Sequence, residues 1–364
     1  MTNIAIGVIG AGLIGRKHLA KIAEHPDFDL VGIADVNAGQ VAEQNPDARV
    51  FADYRAMLDE TRPSAVIIAS PNQLHAENGI ECARRGIHIL IEKPVTDTLD
   101  SANALIDAAR AAGIRSLVGH HRRHHRQVAT LRSLLGERRI GDLVGVSAIW
   151  AVYKPDAYFN AAPWRTQAGG GPVLINLIHE IDFLRFCVGE IVSVSAIQSN
   201  RQRGFAVEDT AGVLIEFENG TIGTFFVSDS AVSPWTTEQG VGEAPEFPFS
   251  GESSYRFMGS RGALEFPNLV AWTQANGEPS WNQSIQAQRI HAPTLDPYIA
   301  QLDHFRDVIR GTAVSLQPVE DGARTLIATL AVAEAAASGK RIDLRDQYVA
   351  LLSSQSEQPR RQAS

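Results

Sequence analysis

Through the first 120 residues, short unbroken apolar runs alternate with segments whose apolar positions recur every three to four residues. Runs at 4–9, 30–34, 49–51, 65–69, 88–91 and 116–118 predict buried strands. The intervening segments 16–24, 38–44, 54–60, 75–85 and 99–112 predict helices. Such alternation predicts a doubly wound parallel sheet, with ligand chemistry at the carboxyl ends of its strands. Beyond about residue 120 the texture changes. A helix at 126–135 precedes an alternating strand at 143–150, and a helix spans 173–188. Strand-like runs follow at 191–197, 210–217, 221–227, 255–258, 263–266 and 270–273, two of them joined by Glu218-Asn219-Gly220, a hairpin signal. Helices at 298–310 and 320–338 close the pattern, and the Gly-, Pro- and Glu-rich stretch 233–252 reads as an irregular loop or lid. The fold class is α/β: an N-terminal doubly wound parallel sheet plus a C-terminal α+β domain with a large, mainly antiparallel open sheet. The expected boundaries are 1–122, 123–350 and a polar, disordered tail at 351–364.

The first strand breaks at Gly10-Ala11-Gly12-Leu13-Ile14-Gly15. In the dinucleotide-binding form of this pattern Gly10 makes the tight turn and Gly12 lets a pyrophosphate reach bare backbone. Gly15 lets the helix pack against the sheet. The helix N-terminus offers N–H groups and a positive dipole end to the phosphates, and Leu13 and Ile14 of the loop are further cofactor-binding candidates. The second strand ends in Asp35, 20 residues past Gly15, where a carboxylate accepts ribose hydroxyls and repels a 2′-phosphate. The opening therefore reads as a Rossmann site for NAD rather than NADP.

At 364 residues the chain exceeds the size of one growing core, so two domains are expected. Acidic residues outnumber basic ones, 41 to 33, for a net charge of −8, which argues against nucleic acid or an anionic membrane as a partner. Cys82 and Cys187 show no motif spacing, no apolar run reaches the ~20 residues a membrane span needs, and no signal segment precedes the first strand. A cytoplasmic protein is expected. The run His120-His121-Arg122-Arg123-His124-His125-Arg126 suggests a metal at first sight, but the arginines would repel a cation and no carboxylate or cysteine interleaves. No metal is expected, and most of the run reads as a solvated joint between the domains.

Several separate motifs, in order, resemble the Gfo/Idh/MocA oxidoreductase family, named for glucose–fructose oxidoreductase and inositol dehydrogenase. They are the glycine loop with His18, Ser70-Pro71-Asn72 with His75, Glu92-Lys93-Pro94, Val118-Gly119-His120 with Arg122-Arg123, Trp164-Arg165, and Gly169-Gly170-Gly171 leading to His179 and Asp182. The resemblance covers nearly the whole chain. It implies NAD(P)-dependent oxidation of a secondary alcohol on a sugar, polyol or cyclitol, or the reverse reduction. It also implies that Lys93 hydrogen-bonds the reacting hydroxyl and His179 exchanges its proton. Ser70, Asn72, His75, Glu92 and Lys93 fall on the cofactor side, with Glu92 orienting Lys93 or the cofactor. His120, Arg122, Tyr153, Lys154, Trp164, Arg165 and Asn176 fall on the substrate side; Trp164 as a plain core aromatic is the alternative. Leu174, Leu177, Ile178, Ile181 and Leu184 form an apolar stripe around His179.

One departure stands out. Many inositol-type members carry an aspartate four residues before the histidine, where this chain has Ile175 followed by Asn176. An amide is no base, so Lys93 and His179 are left to share the proton work, with Asn176 binding a substrate hydroxyl. Two other readings remain open at this point: an NAD-assisted glycosidase of the same fold, and a non-catalytic NAD-binding regulator. Family members commonly pair through the open sheet face, which implies a homodimer or homotetramer.

Overall fold

The computed structural model describes residues 2–242, 247–274, 279–293 and 295–353. The expected loop at 233–252 thus falls partly, and the tail at 351–364 mostly, outside the described residues. Contacts divide the chain into two compact units, each discontinuous in sequence. One holds the chain up to His124, together with Leu295–Leu326 and the residues from Val349. The other runs from His125 as far as the Leu295 segment and takes in Ile327–Tyr348.

The first unit begins with β1 (Ile4–Ile9), α1 (Leu13–Glu24), β2 (Phe28–Ala34), α2 (Ala38–Gln44), β3 (Val50–Phe51) and α3 (Tyr54–Thr61). It continues through β4 (Ala65–Ile68), α4 (His75–Arg84), β5 (His88–Ile91), α5 (Leu99–Ala112) and β6 (Ser116–Val118). The strands form one parallel sheet in the order β3-β2-β1-β4-β5-β6. The strand order reverses between β1 and β4, which is where ligands of such sheets bind. Every residue of β4 is buried, as expected of a strand covered on both faces. Thr98 and Ser101 close a reciprocal cap at the start of α5, and Gly113 ends the helix in the left-handed region.

The second unit contains α6 (Arg126–Gly136), β7 (Leu143–Ala151), the short α7 (Asp156–Asn160) and α8 (Ile178–Cys187), the last preceded by a π-helical turn at Val173–Leu177. Then come β8 (Ile191–Ser199), β9 (Thr210–Phe217), β10 (Ile222–Ser228), α9 (Thr237–Val241), β11 (Tyr255–Gly259), β12 (Gly262–Phe266), β13 (Val270–Gln274) and β14 (Ile285–Arg289). Among the described residues these strands and β15 (Ile342–Asp343) make a nine-stranded sheet, β14-β13-β12-β11-β7-β10-β9-β8-β15. All pairings are antiparallel except β7 with β10. Strands β9 and β10 alternate, Val213, Ile215, Phe225 and Val227 inward and Leu214, Thr224 and Phe226 outward, whereas β8 is buried through Val194 and exposed toward its end.

Helix α10 (Pro297–Ile309) returns to the first unit, where Leu302 and Phe305 join Ile6, Leu19, Ile67 and Leu117 in one core cluster. Asp296 caps it by accepting from the Tyr298 and Ile299 N–H groups. Helix α11 (Val319–Ser338) contributes its residues through Leu326 to the first unit and the rest to the second, and α12 (Arg345–Ser353) follows β15. No helix among the described residues is long and apolar enough to cross a membrane.

Candidate active site

In the first unit the glycine loop is shaped by contacts a side chain would destroy. Gly10 has φ +92°, and a Cβ there would stand 2.6 Å from the Ala69 carbonyl. A Cβ on Gly15 would stand 1.9 Å from the Gly10 carbonyl oxygen, so α1 rides directly on the loop. Gly12 is the opposite case: nothing lies within 4 Å of where its Cβ would be. It also begins α1 without a side-chain cap, leaving the first N–H groups, at Leu13 and Ile14, to whatever occupies that open space.

Asp35 borders the same space. Its Oδ2 accepts from the Ala11 N–H at 2.7 Å and its Oδ1 from the Asn37 N–H at 2.8 Å. Each oxygen keeps lone pairs for ribose hydroxyls. An open glycine cradle, a helix N-terminus and a fixed carboxylate suit a dinucleotide with an unphosphorylated ribose.

The next strand ends carry the polar groups. Ser70 Oγ donates to Asn78 Oδ1 at 2.7 Å, and Asn72 opens a 3-10 turn before α4. His75 is buried with Nδ1 at 2.8 Å from the Pro94 carbonyl and Nε2 at 2.9 Å from that of Ser70. The ring therefore ties the loop after β4 to the loop after β5, and its nitrogens are committed to backbone. Burial pushes its pKa below the usual histidine value.

Glu92, at the end of β5, is only 8% exposed and hydrogen-bonds His18 Nε2 at 2.8 Å. Burial alone would raise this carboxyl. The His18 hydrogen bond and the charges of His18, Lys93 and His121 more than offset that, bringing it down to about 2. Glu92 Oε2 also accepts from the Lys93 backbone N–H at 3.2 Å, which fixes the half-buried Lys93 on its strand end. A Cβ on Gly119 would fall 2.8 Å from the Glu92 carboxyl, so this carboxylate lies across the end of β6.

The run from His120 to His125 is not a solvated joint. All six side chains are buried, His120 to 1%. The physical reason is specific pairing. Arg123 donates to the Leu316 carbonyl at 2.8 Å and pairs with Asp321 at 2.5 Å, and His121 stacks on Tyr298 at 4.7 Å between ring centres. Gln317 donates to the Val118 and His120 carbonyls. Residues 298–321 thus supply partners that no reading of the run alone could foresee. Arg122 lies in the same buried run. No group of three or more metal-ligating side chains occurs among the described residues.

In the second unit the triple glycine works as the first loop does. A Cβ on Gly170 would meet the Arg165 carbonyl at 2.3 Å, and one on Gly171, at φ +79°, would meet the Glu208 carboxylate. Glu208 Oε1 in turn accepts from the Val173 N–H at 2.9 Å and so starts the π turn that carries Asn176. Such turns recur at functional sites. His179 follows on the first turn of α8, half-buried, while neighbouring Glu180 accepts from the Tyr255 hydroxyl in the core. Leu177, Ile178, Ile181 and Leu184 of the stripe are buried; Leu174 is only half so.

Asn176 meets a group given little weight by the sequence pattern. Lys154, a residue only 7% exposed, donates from Nζ to Asn176 Oδ1 at 2.6 Å. Asp229 and Arg203 complete this corner, with Arg203 Nε donating to Asp229 Oδ1 at 2.8 Å. Neither carries a local motif. Arg165 donates to the Tyr158 carbonyl and lies over the Tyr158 ring, whereas Trp164 and Tyr153 are each 51% exposed, so Trp164 is no core aromatic. Tyr153, Asp156, Phe159, Gln202 and Arg203 help line a cavity of 510 Å³.

Residues 4–120 match the family model described as an oxidoreductase family with an NAD-binding Rossmann fold, and residues 128–265 match that of the GFO/IDH/MocA C-terminal domain. A 1,5-anhydro-D-fructose reductase of Ensifer adhaerens is 27% identical over 348 residues, 93% of this chain and 98% of that one. A D-glucoside 3-dehydrogenase of Escherichia coli is 25% identical over 372 residues, 94% and 97% of the two chains. The WlbA dehydrogenase of Bordetella pertussis, solved with NADH and UDP-GlcNAcA, superposes with a TM-score of 0.76 at 24% identity, covering 94% of this chain and 99% of that one. The chain belongs to the Gfo/Idh/MocA family of NAD-binding oxidoreductases.

Proposed function

We propose that the protein is an NAD-dependent dehydrogenase or reductase acting on a secondary alcohol, or the matching ketone, of a sugar, inositol or related polyhydroxylated small molecule. Lys93 and His179 handle the hydroxyl proton. The observation that carries this reading is the fixing of Lys93 at the carboxyl end of β5, its backbone held by Glu92 and Glu92 held by His18. Bound NAD supplies the hydride acceptor, with its pyrophosphate at Gly12, Leu13 and Ile14 and its ribose at Asp35. Hydride leaves a carbinol carbon readily only as the hydroxyl proton departs, so a positioned proton acceptor is required. Lys93 hydrogen-bonds that hydroxyl and His179 takes the proton, or supplies it in reduction. Sugar- and glucoside-acting names among full-length relatives support the substrate class.

The outward face of the large sheet carries Ile197, Leu214, Ile222, Phe226 and Met258, all exposed. Exposed apolar side chains spread over four strands of one sheet suit pairing of two copies, and we assign the protein as a homodimer or homotetramer through this face. The functional test is a screen for NAD⁺ reduction over sugars, inositols and sugar acids, with NADP⁺ in parallel. Net NADH formation is expected; consumption of a glycoside without it would indicate transient oxidation instead. Lys93→Ala should abolish turnover while NADH still binds. His179→Ala should cost roughly 100-fold or more in kcat. Near-wild-type turnover of His179→Ala across pH would remove His179 from the mechanism.

A further inference from the structure

Ile175 stands where the family resemblance implies a carboxylate four residues before His179, yet the neighbourhood is far from apolar. Lys154 lies three residues past Ala151, the end of β7, and is clamped along its backbone. Its N–H donates to the Asp229 carbonyl at 2.9 Å, and its own carbonyl accepts from Arg203 Nη2 at 2.8 Å. Its ammonium lies 3.8 Å from Asp229 Oδ2, 4.8 Å from the centre of the Tyr158 ring and 2.6 Å from Asn176 Oδ1. An ammonium has donors only, so the amide atom it touches must be the carbonyl oxygen. The amide is thereby oriented, and the end left for a ligand is NH₂. Asn176 stands three residues before His179, one helical turn away.

We propose that Lys154 is a positioning residue that holds Asn176 with its amide N–H groups toward the substrate, so that the site selects a substrate oxygen that accepts a hydrogen bond beside the reacting carbon. This rests on the oxidoreductase reading above and deepens it. An aspartate at this place would select a hydroxyl as donor. The oriented amide instead fits a keto, ether or hydroxyl oxygen presenting a lone pair, and it takes no proton, so none is exchanged at this position. Asp229, Arg203, Arg165, Glu238 and Tyr158 are the ionisable groups around the amine. Burial is the largest influence and pulls the amine down to about 8; Asp229 and Glu238 oppose it, and Arg165 and Arg203 reinforce it.

The test uses the full chain and has two parts. Titration of the Lys154 amine by NMR needs no substrate. Its midpoint should fall in Asn176→Ala, because the carbonyl that favours the ammonium is gone; an unchanged midpoint overturns the pairing. With a substrate found in the screen, Lys154→Met should raise KM roughly tenfold and leave kcat within about threefold, with NADH binding intact. Combining it with Asn176→Ala should add little to Asn176→Ala alone, since both remove one oriented amide. Lys154→Arg should recover part of the loss. Full additivity, or an unmoved KM, overturns the positioning role, and a gain in kcat/KM for Asn176→Asp overturns the donor polarity. Were the wild type inert on every substrate, the oxidoreductase reading would fall, and the titration alone would decide the Lys154–Asn176 contact.

Discussion

At Asp35 both carboxylate oxygens already accept a backbone N–H, one from the glycine loop itself. The side chain is thus part of the loop's construction, and in its proposed role as ribose acceptor its charge would repel a 2′-phosphate. Asp35→Ser should raise the ratio of kcat/KM for NADP⁺ over NAD⁺ by about tenfold or more; an unchanged ratio would show that selection lies elsewhere. Glu92 is a carboxylate of another kind, buried and paired with His18. Its folded pKa lies below the ordinary 4.5, near 2. A depressed carboxylate contributes stability that is present above its unfolded value and is lost as pH falls through the folded one. The difference in unfolding free energy between wild type and Glu92→Gln should therefore shrink from about pH 5 toward pH 2. Denaturant melts across that range measure it, and a constant difference would mean the carboxylate is not held ionised.

Among the elements, the turn from β1 into α1 uses three glycines for separable reasons. At Gly15 a methyl group would collide with the Gly10 carbonyl, whereas at Gly12 it would enter empty space. Gly15→Ala should cost roughly 2–3 kcal/mol of stability, read as a lower melting temperature. Gly12→Ala should cost less than about 1 kcal/mol yet weaken NADH binding roughly tenfold, read by fluorescence titration. Equal losses of stability in the two variants would refute this division. The strand and helix positions were legible because the parallel sheet is buried on both faces and its strands are continuous apolar runs. Less legible was the helix at 173–188. Its first turn is π-helical, and the N–H that opens it, on Val173, is taken by Glu208, 35 residues on in sequence. The edge strand β14 was missed for a different reason: Ile285–Arg289 is exposed throughout, and Ile285 and Ala287 alone make too short an alternation to read as a strand.

Over the whole molecule, the second unit's sheet keeps helices on one face and shows apolar side chains on the other. A double charge substitution there, Leu214→Glu with Phe226→Glu, should yield a monomer by light scattering while NADH binding persists. An unchanged mass would place the interface elsewhere. Much of the molecule could be read from the chain itself: the strand–helix alternation, the glycine loop with Asp35, and Lys93 at a strand end. These are local patterns, fixed by periodicity, backbone sterics and strand-end chemistry. Other features were settled only by tertiary structure. The histidine–arginine run is buried because Leu316, Gln317 and Asp321 reach it across nearly two hundred residues of sequence. The 295–326 segment belongs to the first unit because Leu302 and Phe305 complete its core. Asn176 is oriented by Lys154, 22 residues earlier. Burial and pairing of a polar group depend on which distant residues fold against it, and no window of neighbouring sequence contains them.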